Sequence, residues 1–141
     1  MNNLADKLFE FGFHDTEISD IDCIESSVYL TFHNGLYILD NTGKEIELSD
    51  SITMRIDIDK RYMFGSIYNL IEITEFNNQE RDVDFLSFKK RMNDSSFEIR
   101  MAYYSRFNNT ILFDGSIKNK HIMFTIENCL DISYICSSEN N

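Results

Sequence analysis

The chain has 141 residues, with 24 acidic and 13 basic side chains and a formal net charge of −11. At this length one domain is expected, and a hydrophobic fraction of 43% with 13% aromatic residues is too high for a disordered chain. The strong negative charge argues against nucleic acid or an anionic membrane as the main partner, because both are polyanions.

The negative charge is concentrated in the first part of the chain. Residues 1–60 contain 13 acids and 4 bases, a balance of −9, whereas residues 61–141 contain 11 acids and 9 bases, a balance of −2. A local excess of this kind can accelerate the docking of a basic partner, and the alternative is an ordinary solvated acidic surface.

The N-terminal residues contain neither a basic segment nor a long apolar run, so we expect no signal peptide and a cytoplasmic location. In that compartment the three Cys are expected to remain reduced.

The first predicted element is a short helix over residues 3–11, because Leu4, Leu8 and Phe11 recur at helical spacing. Asn2 or Asn3 is expected to cap it. Residues 28–33 then alternate with a period of two, and Asn34-Gly35 predicts a hairpin with a return strand over 36–40. Clean alternation over 51–59 indicates a half-exposed antiparallel strand.

The second half of the chain is predicted to contain one helix among further strands. Residues 68–76 have strand composition, and residues 82–92 have Phe85, Phe88 and Met92 on one helical face. Strand patterns follow from Phe97 to the C-terminal region. These elements predict an α+β fold: a curved antiparallel sheet or partly open barrel of about eight strands, with an N-terminal helix and one internal helix at about 82–92. We expect one domain over 1–141, with 137–141 as a frayed tail.

The most conspicuous polar pair is His14-Asp15, since a His beside an Asp can serve as an oriented general base. Adjacent residues on an extended chain point to opposite faces, so we expect the two not to pair and to have a structural role. The sequence contains no metal-ligand spacing of His or Cys, no nucleophile elbow and no glycine-rich phosphate loop. We therefore expect no catalytic residues, no metal and no cofactor.

Two D-x-D pairs, Asp20/Asp22 and Asp57/Asp59, lie in predicted strands, where alternate residues share a face. Such carboxylate rows can bind a hard cation, and they are more commonly only solvated.

The opening of the chain resembles small bacterial immunity proteins of polymorphic toxin and contact-dependent growth inhibition systems. The resemblance covers residues 1–40: a short helix, then Phe13-His14-Asp15, then Ile18, Ile21 and Ile24, then V-Y-L-T-F and the hairpin. It implies a non-catalytic inhibitor that binds and neutralises one cognate toxin domain in the cytoplasm. The resemblance supplies no site residues.

A partner of this kind agrees with the charge, because a nuclease-type toxin domain must be basic to hold phosphates. We predict that an acidic surface meets it, with two tyrosines as anchors; the candidates are Asp20, Asp22, Asp40, Glu45, Glu47, Asp57, Asp59, Tyr29 and Tyr37. Two alternatives stay open at this point. One is a small-molecule-binding or regulatory domain with its ligand in the mouth of the sheet, and the other is an enzyme with clustered titratable groups around His14.

Overall fold

A computed structural model describes residues 3–136 of the chain. Two α-helices lie in this part of the chain, α1 (Leu4–Leu8) and α2 (Phe85–Ser95), together with three short 3-10 helices (Lys60–Tyr62, Ile67–Leu70 and Phe107–Asn109). The strands within it are β1 (Phe11–Gly12), β2 (Glu17–Ile18), β3 (Asp20–Ile24), β4 (Ser27–Phe32), β5 (Tyr37–Leu39), β6 (Glu45–Leu48), β7 (Ile52–Ile58), β8 (Ile71–Asn77), β9 (Gln79–Asp82), β10 (Phe97–Ser105), β11 (Thr110–Ile117), β12 (Lys120–Ile126) and β13 (Cys129–Cys136). The predicted frayed tail, 137–141, lies outside the described residues.

The strands form three antiparallel sheets. The largest has six strands in the order β2-β10-β11-β12-β8-β9, the second has the order β13-β7-β4-β3, and the third has the order β1-β5-β6. The α+β class is therefore confirmed. The prediction of one curved sheet or partly open barrel of about eight strands is wrong, since the described strands are distributed over three sheets that do not close.

The N-terminal helix is shorter than predicted. Asn3 caps it by accepting a hydrogen bond from the Asp6 amide at 2.8 Å, and the helix ends at Leu8. It does not continue to residue 11, because Phe11 and Gly12 pair with β5 as a strand. The Tyr134 hydroxyl donates to the Leu8 carbonyl at 2.6 Å, which fixes the helix against β13.

The internal helix begins three residues later than the predicted 82–92. Asp84 is its N-cap and accepts a hydrogen bond from the Ser87 amide at 2.9 Å, whereas residues 79–82 form the edge strand β9. Phe88 and Met92 are fully buried, so the predicted apolar face is correct.

The predicted Asn34-Gly35 hairpin is wrong. β4 pairs with β3 and β7, whereas β5 pairs with β1 and β6, so the turn carries the chain from one sheet to another. Phe32 and Leu36 on either side of the turn are both fully buried. Gly35 has φ +85°, and a Cβ there would lie 2.0 Å from the Ser49 carbonyl oxygen. Core burial on both sides of the turn outweighs the local hairpin preference.

The buried apolar side chains of the described residues form one cluster. Its centre is aromatic: the Phe124 ring lies 5.0 Å from Phe88 and 5.2 Å from both Phe97 and Phe113. Phe97, Phe113 and Phe124 lie on the inner face of the six-stranded sheet, and Phe88 of α2 packs onto this face. The opposite face of that sheet carries the alternate residues, which are only partly covered.

Candidate functional site

Two of the predicted partner-binding acids are occupied by a lysine of α2. The Lys89 ammonium lies 2.6 Å from Asp20 Oδ1 and 2.8 Å from Asp22 Oδ1, and it also donates to the Ile21 carbonyl at 2.9 Å. Asn93 donates a further hydrogen bond to Asp20 at 2.7 Å. The two carboxylates share one face of β3, as their spacing predicts, and they connect this strand to α2.

Three more of the predicted acids also have partners within the chain. Asp57 accepts from Arg55 Nε at 2.8 Å, and Asp59 pairs with Arg61 at 2.7 Å. Asp40 accepts from the Lys44 amide at 3.0 Å and closes the β5–β6 turn. Asp59 follows the end of β7 and caps a short helical turn, so Asp57 and Asp59 do not form the predicted carboxylate row.

The remaining two predicted acids lie on β6, an edge strand of the three-stranded sheet. Glu45 and Glu47 are exposed, and neither has an ion pair within residues 3–136. The two apolar residues of the strand are exposed as well, Ile46 by 60% and Leu48 by 49%. All four residues of β6 therefore face solvent along one free edge.

The two predicted tyrosine anchors lie in different sheets. Tyr29 is on β4, half-buried, with the Arg55 guanidinium 5.8 Å from its ring centre. Tyr37 is on β5, half-buried, and pairs with Leu48 of β6. Only Tyr37 is adjacent to the unpaired acids.

A polar cluster that the sequence did not reveal lies on the partly covered face of the six-stranded sheet. Asp114 on β11 accepts hydrogen bonds from Arg100 Nη2 and from His121 Nε2, both at 2.5 Å. Its side chain is only 10% exposed. The His121 ring is stacked on Phe76 of β8, with 4.9 Å between ring centres. Burial opposes ionisation, but hydrogen bonds from Arg100 and His121 lower the pKa of Asp114 below its usual value.

A β-bulge gives the cluster its geometry. Ile99 pairs with Gly115 and Met101 pairs with Asp114, so Arg100 is the extra residue of β10. Gly115 is required opposite the bulge, since a Cβ there would lie 2.1 Å from the Glu98 carbonyl oxygen. Bulges redirect side chains and are common beside functional sites.

His14 and Asp15 extend this cluster, and the expectation that they do not pair is wrong. Asp15 has φ +63°, a turn conformation rather than an extended one, and its carboxylate lies 3.3 Å from His14 Nε2. His14 Nδ1 donates to the Arg100 carbonyl at 3.0 Å. This hydrogen bond and then the Asp15 charge raise the pKa of His14.

These groups surround a cavity of about 510 Å³. Most of the residues that line it have polar side chains; they are His14, Asp15, Glu98, Ile99, Arg100, Gly115, Ser116, Asn119 and His121. Two imidazoles and a guanidinium in one cavity can bind a small polar ligand and exchange protons with it. No group of three or more His, Cys, Asp or Glu side chains in residues 3–136 is arranged to hold a metal ion.

The sequence matches no family model, and searches of curated proteins and of solved structures find no significant match. Among the helices of residues 3–136, none has the length and apolar character needed to cross a lipid bilayer.

Proposed function

We propose that this protein is an immunity-type inhibitor that binds and neutralises a basic, nuclease-type toxin domain, and that β6 is its principal contact strand. The observation that carries the proposal is the composition of that edge strand. Two unpaired carboxylates, Glu45 and Glu47, alternate there with two exposed apolar side chains, Ile46 and Leu48.

The backbone groups at the free edge of β6 can also form hydrogen bonds with a strand of another protein. Backbone hydrogen bonds join β5 and β6 at both ends of β6. At one end the Asp40 amide donates to the Lys44 carbonyl, and at the other end the Ser49 amide donates to the Leu36 carbonyl. In an antiparallel pair, alternate residues direct their backbone groups away from the partner strand. Those groups of β6 are available to an added strand, a common mode of protein recognition.

The charge of the edge selects the partner. Two carboxylates on the pairing strand repel a second copy of this acidic chain, and they attract a strand or loop that carries Lys or Arg. The exposed Ile46 and Leu48 supply the apolar contact that such an interface needs at its centre. The surrounding excess of acids in residues 1–60 adds a long-range field that favours fast association.

The paired acids have a smaller part in this proposal than the sequence alone suggests. Asp20, Asp22, Asp57 and Asp59 each already have a basic partner, so an incoming cation must compete with an ion pair inside the chain. Neither Glu45 nor Glu47 has an ion pair within residues 3–136, and the charge of Glu45 is only a minor cause of the raised pKa of His14. The test is the association rate with a toxin domain encoded beside this gene, measured for charge-reversed β6 variants.

A second candidate function is small-molecule binding in the cavity between His14 and His121. It is favoured by the convergence of both imidazoles with Arg100 on one open cavity. The test of this second function is an NMR titration with small carboxylate and phosphate compounds, in which the resonances of the two imidazoles are followed. Specific saturable shifts would support ligand binding, and unchanged resonances across the set would exclude it.

A further inference from the structure

A second cavity of about 510 Å³ lies where α2 meets the β11–β12 turn. Four of the chain's 13 basic residues line it, together with two carboxylates. The basic residues are Arg81, Arg91, Lys118 and Lys120, and the acids are Glu75 and Asp94. The lining therefore carries a net charge of +2 on a protein whose net charge is −11.

Glu75 holds the two arginines at the cavity. Its side chain is only 4% exposed, and its Oε1 lies 2.9 Å from Arg91 Nη1 and 3.3 Å from Arg81 Nη2. Burying a carboxylate is costly, and an apolar residue at such a position is often equally stabilising. Each guanidinium has five N–H donors, so both keep donors for a ligand after binding Glu75.

The positive charges of the two lysines are not balanced by nearby carboxylates. Neither Lys118 nor Lys120 has an ion pair within residues 3–136. Lys118 has φ +49° and Asn119 has φ +66°, in a two-residue turn closed by the pairing of Ile117 with Lys120. A lysine is an unfavourable choice for a left-handed position where Gly or Asn is preferred. Local strain of this kind is common at functional sites.

We infer that this cavity binds a compact phosphate-bearing anion. Two guanidiniums offer paired donors to phosphate oxygens, and two ammonium groups add point charges at the turn. Ser95 and Asn77 also line the cavity and can donate hydrogen bonds. The affinity comes from charge and from N–H donors, as in other phosphate sites.

The lining also limits the size and type of ligand. Ile117 is its one fully apolar side chain, and no aromatic ring is present among the lining residues, so a nucleobase has no surface on which to stack. The site therefore suits pyrophosphate, a short polyphosphate or a phosphorylated sugar, with Asp94 available to accept from a sugar hydroxyl. None of these residues belongs to β6, so this site is independent of the proposed toxin-binding edge.

The test is isothermal titration calorimetry with pyrophosphate at low salt. The variant K118A/K120A removes the two free ammonium groups, and K44A/K60A removes two exposed lysines elsewhere with the same change in net charge. We expect K118A/K120A to weaken pyrophosphate binding about tenfold or more, and K44A/K60A to change it by less than about twofold. Circular dichroism and thermal melting of both variants establish that each is folded.

Three outcomes would overturn the assignment. The first is the absence of binding to the wild-type protein at millimolar pyrophosphate. The second is an equal loss in both double variants, which would mean that binding responds only to net charge. The third is ATP binding about tenfold tighter than tripolyphosphate, because that preference requires a base-stacking surface. Amide shifts confined to residues 117–120 and to Ser95 on titration would support the site.

Discussion

Lys89 on α2 places its ammonium 2.6 Å from the Asp20 carboxylate on β3, and it bridges to Asp22 on the same strand. The contact fixes the helix to the edge of the four-stranded sheet. Burial opposes the charge of Lys89, but hydrogen bonds to the two carboxylates raise its pKa. Asp20 and Asp22, which the sequence indicates as part of a binding surface, therefore contribute to the stability of the fold.

Replacing Lys89 by Met should destabilise the protein by about 1 kcal/mol, because two carboxylates lose their shared cation while both remain partly solvated. Urea unfolding measures the change. Lys90, which is exposed and has no ion pair in the described part of the chain, provides the control K90M, for which we expect little effect. Equal destabilisation by both substitutions would contradict the structural role of Lys89.

Asp114→Asn should destabilise the protein by about 1–2 kcal/mol, because Arg100 and His121 lose their charged hydrogen-bond acceptor but are themselves partly solvated, with side chains 64% and 40% exposed. The substitution should also change the acid response. The folded-state pKa of Asp114 is lowered, so its stabilisation is present above the unfolded-state value and is lost as pH falls through the folded-state value. Unfolding free energy below about pH 4 should therefore depend less on pH in D114N than in the wild type. Parallel curves would refute this assignment.

His14 should titrate above the usual histidine value of about 6.5, since the Arg100 carbonyl and then Asp15 favour its protonated form. NMR titration of the imidazole resonances measures this directly. Asp15→Asn should lower the pKa of His14 only in part, because the backbone hydrogen bond is the larger cause. An unchanged titration in D15N would show that the 3.3 Å approach of the two side chains does not persist in solution.

Gly115→Ala should destabilise the protein by about 3 kcal/mol, because the new Cβ would collide with the Glu98 carbonyl and the Phe97 ring. Gly43→Ala is the matched control: Gly43 has φ +85° and open space around it, so only the backbone cost of about 1 kcal/mol is expected. Chemical denaturation ranks the two variants, and a smaller loss for G115A would contradict the close packing at the bulge.

The elements that could be predicted from the sequence are those whose pattern is local. The alternation in residues 51–59 corresponds to β7, and the apolar spacing of Phe88 and Met92 gives the buried face of α2. The division into three sheets could not be predicted. Asn34-Gly35 has the composition of a hairpin turn, but the burial of Phe32 and Leu36 carries the chain between sheets.

The same distinction applies to the sites. Glu45 and Glu47 could be selected from charge alone. The ion pairs of Asp20 and Asp22 could not be predicted, because their partner Lys89 is remote from them in sequence. The Asp114 cluster unites residues separated by up to about a hundred positions, and no motif connects them.

The most direct test of the proposed function is the association rate between this protein and a toxin domain encoded beside its gene, measured by stopped flow at low salt. We compare E45K/E47K with E72K/E80K, which reverses two exposed acids on the six-stranded sheet and changes the net charge equally. The proposal predicts a rate at least about tenfold lower for E45K/E47K than for E72K/E80K, with the difference reduced at high salt. Equal rates for the two variants, or no binding of the wild-type protein to that domain, would contradict it.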